Sequence, residues 1–218
     1  RLVNQTGRTP VGKYTIKNIR TLALVGQAGS GKTMLAEALL AQAGAIPAAG
    51  SVERGNTVCD YLPLEKRSGH SLKLAVASFE AQDTRIHLLD TPGYTDFLGH
   101  SQPALAAVET AAVVINAQNG LELMTGRMMQ WAADQGLDRL IIVNKIDAPN
   151  TELQALLEQI QTVFGKGCLP INLPAGNASR VSDCFFAPGG ESDFSSVEKA
   201  YRQLVDQVVE VDEKLMEV

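Results

Sequence analysis

The octapeptide Gly26-Gln27-Ala28-Gly29-Ser30-Gly31-Lys32-Thr33 constrains this chain more than any other stretch. It fits G-x-x-x-x-G-K-[ST]. An apolar run, Thr21 to Val25, precedes it, and a helical pattern follows, in which Met34, Leu35, Ala38 and Leu39 recur before Gly44. Strand, glycine-rich turn and helix in that order converge backbone N–H groups on a helix start, where they cradle phosphate oxygens. All eight residues are therefore candidate phosphate ligands. Lys32 would reach the β- and γ-phosphates, and the Thr33 hydroxyl would meet Mg2+. A purely structural turn is the alternative, and the strand–turn–helix context argues against it.

Beyond this loop, short apolar runs alternate with helical patterns, the signature of a parallel sheet wrapped by helices. Leu72 to Phe79 and Thr84 to Leu89, joined through Ala81, Gln82 and Asp83, predict an antiparallel hairpin. Ala111 to Ile115 and Arg139 to Val143 predict buried parallel strands, and Thr151 to Phe164 a helix. The expected class is α/β: a P-loop NTPase fold with a mostly parallel sheet, one antiparallel strand, and helices on both faces. Residues 45–70 lack a period and read as one long loop. From Leu169 to Ser196 the chain turns rich in Pro, Gly, Asn and Ser, which predicts a loop-rich boundary. Val197, Tyr201, Leu204, Val208, Val211 and Leu215 then recur at helical spacing. That seam spans under three heptads, so packing against the domain is expected rather than a coiled coil. The organisation predicted is a polar, basic leader over 1–17, an α/β domain over 18–168, and an appendage over 169–218.

Composition narrows the partners. With 19 Lys+Arg against 24 Asp+Glu, the net charge of −5 rules out an electrostatic clamp on nucleic acid, and no DNA partner is expected. Cys59, Cys168 and Cys184 form no C-x-x-C pair, which implies reduced thiols in a cytoplasmic protein and no zinc site. Apolar runs such as Leu22 to Val25 fall far short of the ~20 residues that span a bilayer, so no membrane is expected. The chain begins with Arg1 and shows no apolar signal core, so it reads as a fragment or a processed chain.

Two further motifs stand at predicted strand ends. Asp90-Thr91-Pro92-Gly93 follows Leu89 and would set a carboxylate at the carboxyl edge of the sheet, where it can hold Mg2+ through water. Asn144-Lys145-Ile146-Asp147 follows Val143. A carboxylate only accepts hydrogen bonds, and guanine, unlike adenine, offers N1–H and an exocyclic amine side by side, so Asp147 would select guanine. A capped helix start with Asp147 as a surface turn residue is the alternative, and the two earlier motifs argue against it. Asn144 would bridge base and phosphate loop, and the Lys145 stem would lie over the base.

These three motifs, in this order, resemble the GTP-binding proteins, and the details resemble the elongation factor G branch of translational GTPases, especially its elongation-factor-G-like paralogues. G-S-G-K-T after A-L-V, the stretch Cys59 to Pro63, the run Leu88 to Phe97, N-K-I-D, and the ending E-V-D-E-K-L-M-E carry the resemblance, over roughly residues 18–218. It implies a ribosome-dependent GTPase module with Mg2+ as cofactor, GTP and GDP as substrate and product, and the ribosome as partner. A monomer is expected, cut from a multidomain factor whose inserted subdomain begins near Asn172.

The resemblance also assigns roles. The family's switch threonine on Mg2+ corresponds to Ser71, with Thr57 and Ser68 as the next candidates. Lys32, Gly93 and Tyr94 form the expected catalytic group, and Thr33, Ser71 and Asp90 the metal group. The histidine that commonly follows D-T-P-G is Tyr94 here, and a phenol is no base at neutral pH. Asp96 and His100 are the candidates to position water in its place. Without such a group the domain would be a GDP/GTP switch that hardly hydrolyses; a GTPase outside translation, or an ATP-using P-loop kinase, are the other readings.

Overall fold

Residues 14–211 are described by a computed structural model, so most of the expected leader, and Leu215 of the terminal seam, lie outside the described residues. These residues form two compact units. The first runs to Asn116 and resumes over Glu122–Asn144; the second holds Ala117–Leu121 and the residues from Lys145 onward.

The first unit is built on β1 (Ile19–Val25), whose Ala23, Leu24 and Val25 are all fully buried. Successive side chains of a strand point to opposite faces, so burial of three in a row requires cover on both. The rest of the sheet is β2 (Ala75–Ala81), β3 (Thr84–Asp90), β4 (Thr110–Asn116) and β5 (Asp138–Asn144), in the order β2-β3-β1-β4-β5. Every pairing is parallel except β2 with β3, as expected. On one face α1 (Lys32–Gln42) packs Ala36 and Leu40 against Leu24, Leu88 and Val114. Ala23, Val25, Val113 and Ile115 alternate to the other face, where α3 (Leu98–Leu105) meets β1 and α4 (Leu123–Asp134) meets β4 and β5. Register then aligns the carboxyl ends: Leu24 lies opposite Asp90, and Asn116 opposite Asn144.

Three expectations are corrected. The hairpin turn is two residues, not three: Gln82 and Asp83 both take positive φ, 47° and 58°, while Ala81 already pairs with Thr84. Two left-handed residues match the twist of the flanking strands. Secondly, β2 starts at Ala75 rather than Leu72, because the Leu72 and Lys73 amides donate instead to Glu65 Oε1, at 2.9 and 3.0 Å. Thirdly, residues 45–70 are not one plain loop. They contain α2 (Pro63–Ser68), opened by Pro63 at its first turn and closed by Gly69 at φ 68°. Two buried carboxylates organise the segment. Glu65 also accepts from the Leu62 amide at 2.8 Å, and Glu37 of α1 accepts from the amides of Gly50 (2.9 Å), Val58 (2.6 Å) and Cys59 (3.3 Å).

In the second unit, α5 (Leu153–Phe164) starts two residues later than predicted, since the Thr151 hydroxyl turns back to the carbonyls of Ile146 and Ala148. The expected loop-rich stretch after Leu169 holds an antiparallel pair, β6 (Asn172–Ala175) and β7 (Arg180–Asp183). Against this hairpin packs α6 (Val197–Val211): Val197 and Ala200 join Leu173 and Cys184 in a small core, with Phe194 and Leu204 at its margin. Tyr201 and Val208 of the predicted seam are instead exposed.

Glu37→Ala would strand three inward-facing amides. We expect a loss of about 3 kcal/mol in urea unfolding, together with new proteolytic cleavage between residues 46 and 60. Unchanged stability and an unchanged cleavage pattern would refute the organising role.

Candidate functional site

The phosphate loop is shaped by its glycines. Gly26, Gly29 and Gly31 take φ of 136°, 76° and 95°, a region costly for residues with a Cβ, and a Cβ on Gly26 would run into the Val114 carbonyl oxygen. Gly31 leads directly into α1, whose first residues are Lys32 and Thr33. Gln27, Ala28 and Ser30 complete the turn, with the Ser30 amide donating to the Gln27 carbonyl. Lys32 is buried, 5% exposed, and its ammonium donates to the carbonyls of Gly26 and Gln27, both at 2.9 Å. Burial pulls its pKa down to about 8, against the opposing charge of Asp90.

Asp90 closes β3 and is fully buried. Burial lifts its pKa to about 7, while the Thr33 hydroxyl and the Lys32 charge work in the other direction. Thr33 Oγ1 donates to Asp90 Oδ2 at 2.7 Å and lies 3.1 Å from Ser71 Oγ. The three predicted metal donors thus come together, from α1, the end of β3 and the segment before β2. Of the alternative hydroxyls, Thr57 bonds Asp60 and Ser68 bonds Leu64, so Ser71 is the one within reach of Thr33. Asp90 Oδ1 is buried with no hydrogen-bond partner, which is costly for a carboxylate oxygen unless a cation or its water completes it. Two hydroxyls and a carboxylate are hard oxygen donors, and they suit Mg2+. Among the described residues no cluster of three or more His, Cys, Asp or Glu side chains could hold a metal, so thiolate–imidazole chemistry is not what this set offers.

Sequence reasoning missed Asp60. Its buried carboxylate accepts from Ser71 Oγ at 2.7 Å and from Thr57 Oγ1 at 2.8 Å, fixing the hydroxyl that meets Thr33. It sits in the stretch Cys59 to Pro63 that carries part of the family resemblance, but that stretch has no period and assigns the carboxylate no role.

The Asp90-Thr91-Pro92-Gly93 turn is pinned at both ends. Thr91 bonds the Leu24 carbonyl through its amide and hydroxyl, and the Ser101 hydroxyl bonds the Pro92 carbonyl at 2.9 Å. Gly93 is pressed onto the phosphate loop: a Cβ there would lie 2.6 Å from the Ala28 nitrogen and 2.5 Å from Lys32 Nζ. Tyr94, next in the chain, is 47% exposed. Asp96 and His100, named from sequence as water-positioning candidates, are both exposed as well. Tyr94 instead meets His70, with ring centroids 4.7 Å apart.

At the end of β5, Asn144 Nδ2 donates to the Ser30 carbonyl at 2.9 Å and so ties that strand end to the phosphate loop. Lys145 and Asp147 open the second unit and are exposed; Lys145 takes φ 57°, and the Ala148 amide closes a turn onto its carbonyl at 3.1 Å.

Residues 17–215 match the family model for the elongation factor Tu GTP-binding domain. The chain belongs to that family. Among its relatives, an elongation factor G-like protein of Mycobacterium tuberculosis is 36% identical over 212 residues, 91% of this chain. A mitochondrial ribosome-releasing factor 2 of Culex quinquefasciatus is 32% identical over 99% of it, and a peptide chain release factor 3 of Gloeobacter violaceus is 36% identical over 72%. The chain covers 30% of the length of each. A crystal structure from Thermus thermophilus superposes with a TM-score of 0.81 at 36% identity, over 91% of this chain and 32% of that one. The expected elongation factor G kinship and α/β class therefore hold, for a GTP-binding domain of the translational GTPase family. Among the described residues no helix is long and apolar enough to cross a membrane.

The cysteines of this G domain differ in burial. Burial, with Asp90, Glu37, Asp60 and Glu65 nearby, drives the Cys59 thiol far above its ordinary pKa, and burial also raises that of Cys184. Cys168 is only partly buried. Ellman's reagent at pH 8 should label Cys168 first, with Cys59 and Cys184 reacting only on unfolding; prompt labelling of Cys59 would contradict its burial.

Proposed function

We propose that the chain is the nucleotide module of an elongation factor G-like translation factor, which binds and hydrolyses GTP with Mg2+ on the ribosome. The observation that carries this reading is the convergence of Thr33, Ser71 and Asp90 beside Lys32 at the phosphate loop. Names of the relatives, an elongation factor G-like protein and release factors, supply the ribosomal context.

The chemistry follows from phosphoryl transfer, where positioning and charge stabilisation do nearly all the work. The amides of Gly26–Thr33 would hold the phosphates. Lys32 would exchange its two carbonyl partners for phosphate oxygens, whose formal charge binds an ammonium more strongly than neutral carbonyls do. The Gly93 amide would register the γ-phosphate. Thr33, Ser71 and Asp90 would hold Mg2+, which when bound supplies neutralisation of phosphate charge. Asp147 would accept from guanine N1–H and its amine, with Asn144 bracing the loop and the Lys145 stem against the base.

Calorimetry should give heat with GTP and GDP but none with ATP, and EDTA should weaken GTP binding. Asp147→Ala should weaken GTP by about a hundredfold, since two hydrogen bonds to a charged acceptor are lost. Equal affinity for ATP would overturn the guanine assignment. Phosphate release stimulated by ribosomes in the intact polypeptide is the expected turnover; nucleotide binding without any release would leave a switch rather than an enzyme.

A further inference from the structure

Hydrolysis needs an acceptor that holds the attacking water in line, and the residue after Gly93 is a half-exposed phenol packed on another ring. The chain has three histidines. His87 lies within β3, paired with Ser78 Oγ at 2.8 Å, and His100 is exposed on α3. His70 differs from both. It immediately precedes Ser71, whose hydroxyl reaches Thr33, and its ring packs on the two aromatics of the turn after Gly93. The centroid of Tyr94 is 4.7 Å away at 57°, and that of Phe97 6.4 Å away at 27°. One imidazole therefore stands where the segment carrying Ser71 meets the segment carrying Gly93.

Its orientation is fixed as well. His70 Nδ1 lies 3.0 Å from the Ser68 carbonyl, which can only accept, so Nδ1 is the donor of that bond and Nε2 is the ring nitrogen turned away from it. With its Nδ1 bonded to the Ser68 carbonyl and its face on Tyr94, the ring has less rotamer freedom to lose on taking up a ligand.

We propose that His70 is the water-orienting residue of this GTPase, acting from the segment before β2 in place of an imidazole at position 94. Its Nε2 accepts a hydrogen bond from the attacking water. The water oxygen bonds the γ-phosphorus, and the bond from that phosphorus to the β–γ bridging oxygen breaks. The electron pair of that bond leaves with GDP, and the water's proton passes to the departing phosphate. Tyr94 then serves as a wall that positions His70. This assignment rests on the hydrolytic reading above.

The test is single-turnover GTP hydrolysis by the intact polypeptide with ribosomes, alongside GTP and GDP affinities from calorimetry. His70→Ala should slow the chemical step by about a hundredfold, with affinities within about twofold of wild type. His70→Gln, whose carbonyl can still accept from water, should recover part of the rate, and His100→Ala should leave it intact. Adding Tyr94→His to His70→Ala should restore turnover by supplying an imidazole from the turn after Gly93 instead, which a merely structural His70 would not allow. An active wild type with an equally active His70→Ala overturns this assignment alone. No turnover by a GTP-binding wild type overturns the hydrolytic reading, and this assignment falls with it.

Discussion

A carboxylate and an ammonium are buried together at the carboxyl edge of the sheet, and much of the architecture serves to keep them there. Asp90 is fixed by the pairing of β3 with β1; Lys32 is fixed by the start of α1, and α1 by the packing of Ala36 and Leu40 onto the same strands. Moving either charge into an apolar interior alone would cost several kcal/mol. Held as they are, Lys32 and Asp90 each oppose the pKa shift that burial imposes on the other. Asp90 Oδ1 remains without a partner, so the protein's own atoms do not complete the cluster.

The segment between α1 and β2 depends on a different use of buried charge. Glu37 and Glu65 each gather three backbone amides, work that a strand ladder or helix would ordinarily do. A carboxylate is well suited to it, since its two oxygens offer about four acceptor sites. Asp60 extends the scheme to side chains by joining Ser71 to Thr57. The result is irregular backbone held in one arrangement, with Ser71 and His70 delivered to definite places.

What could be read from the residues follows from this division. The strands and the phosphate loop announce themselves locally, through apolar runs and through glycines that no other residue replaces. Asp90 and Asn144 were legible because they terminate such strands. The fixing of residues 45–72 was not, because its order comes from Glu37, up to 22 residues away in the chain, and from Glu65, which displaces the start of β2. The β6–β7 hairpin hid for another reason: Pro174 and short four-residue strands leave almost no alternation to detect. His70 resembles any loop histidine until Tyr94 and Phe97 are seen around it.

Lys32 and Glu37 ride on one helix of eleven residues. The ammonium at its start and the carboxylate one turn on therefore share a single rigid element, so the same eleven residues that present a cation to the phosphate loop also present the acceptor on which the Gly50, Val58 and Cys59 amides close.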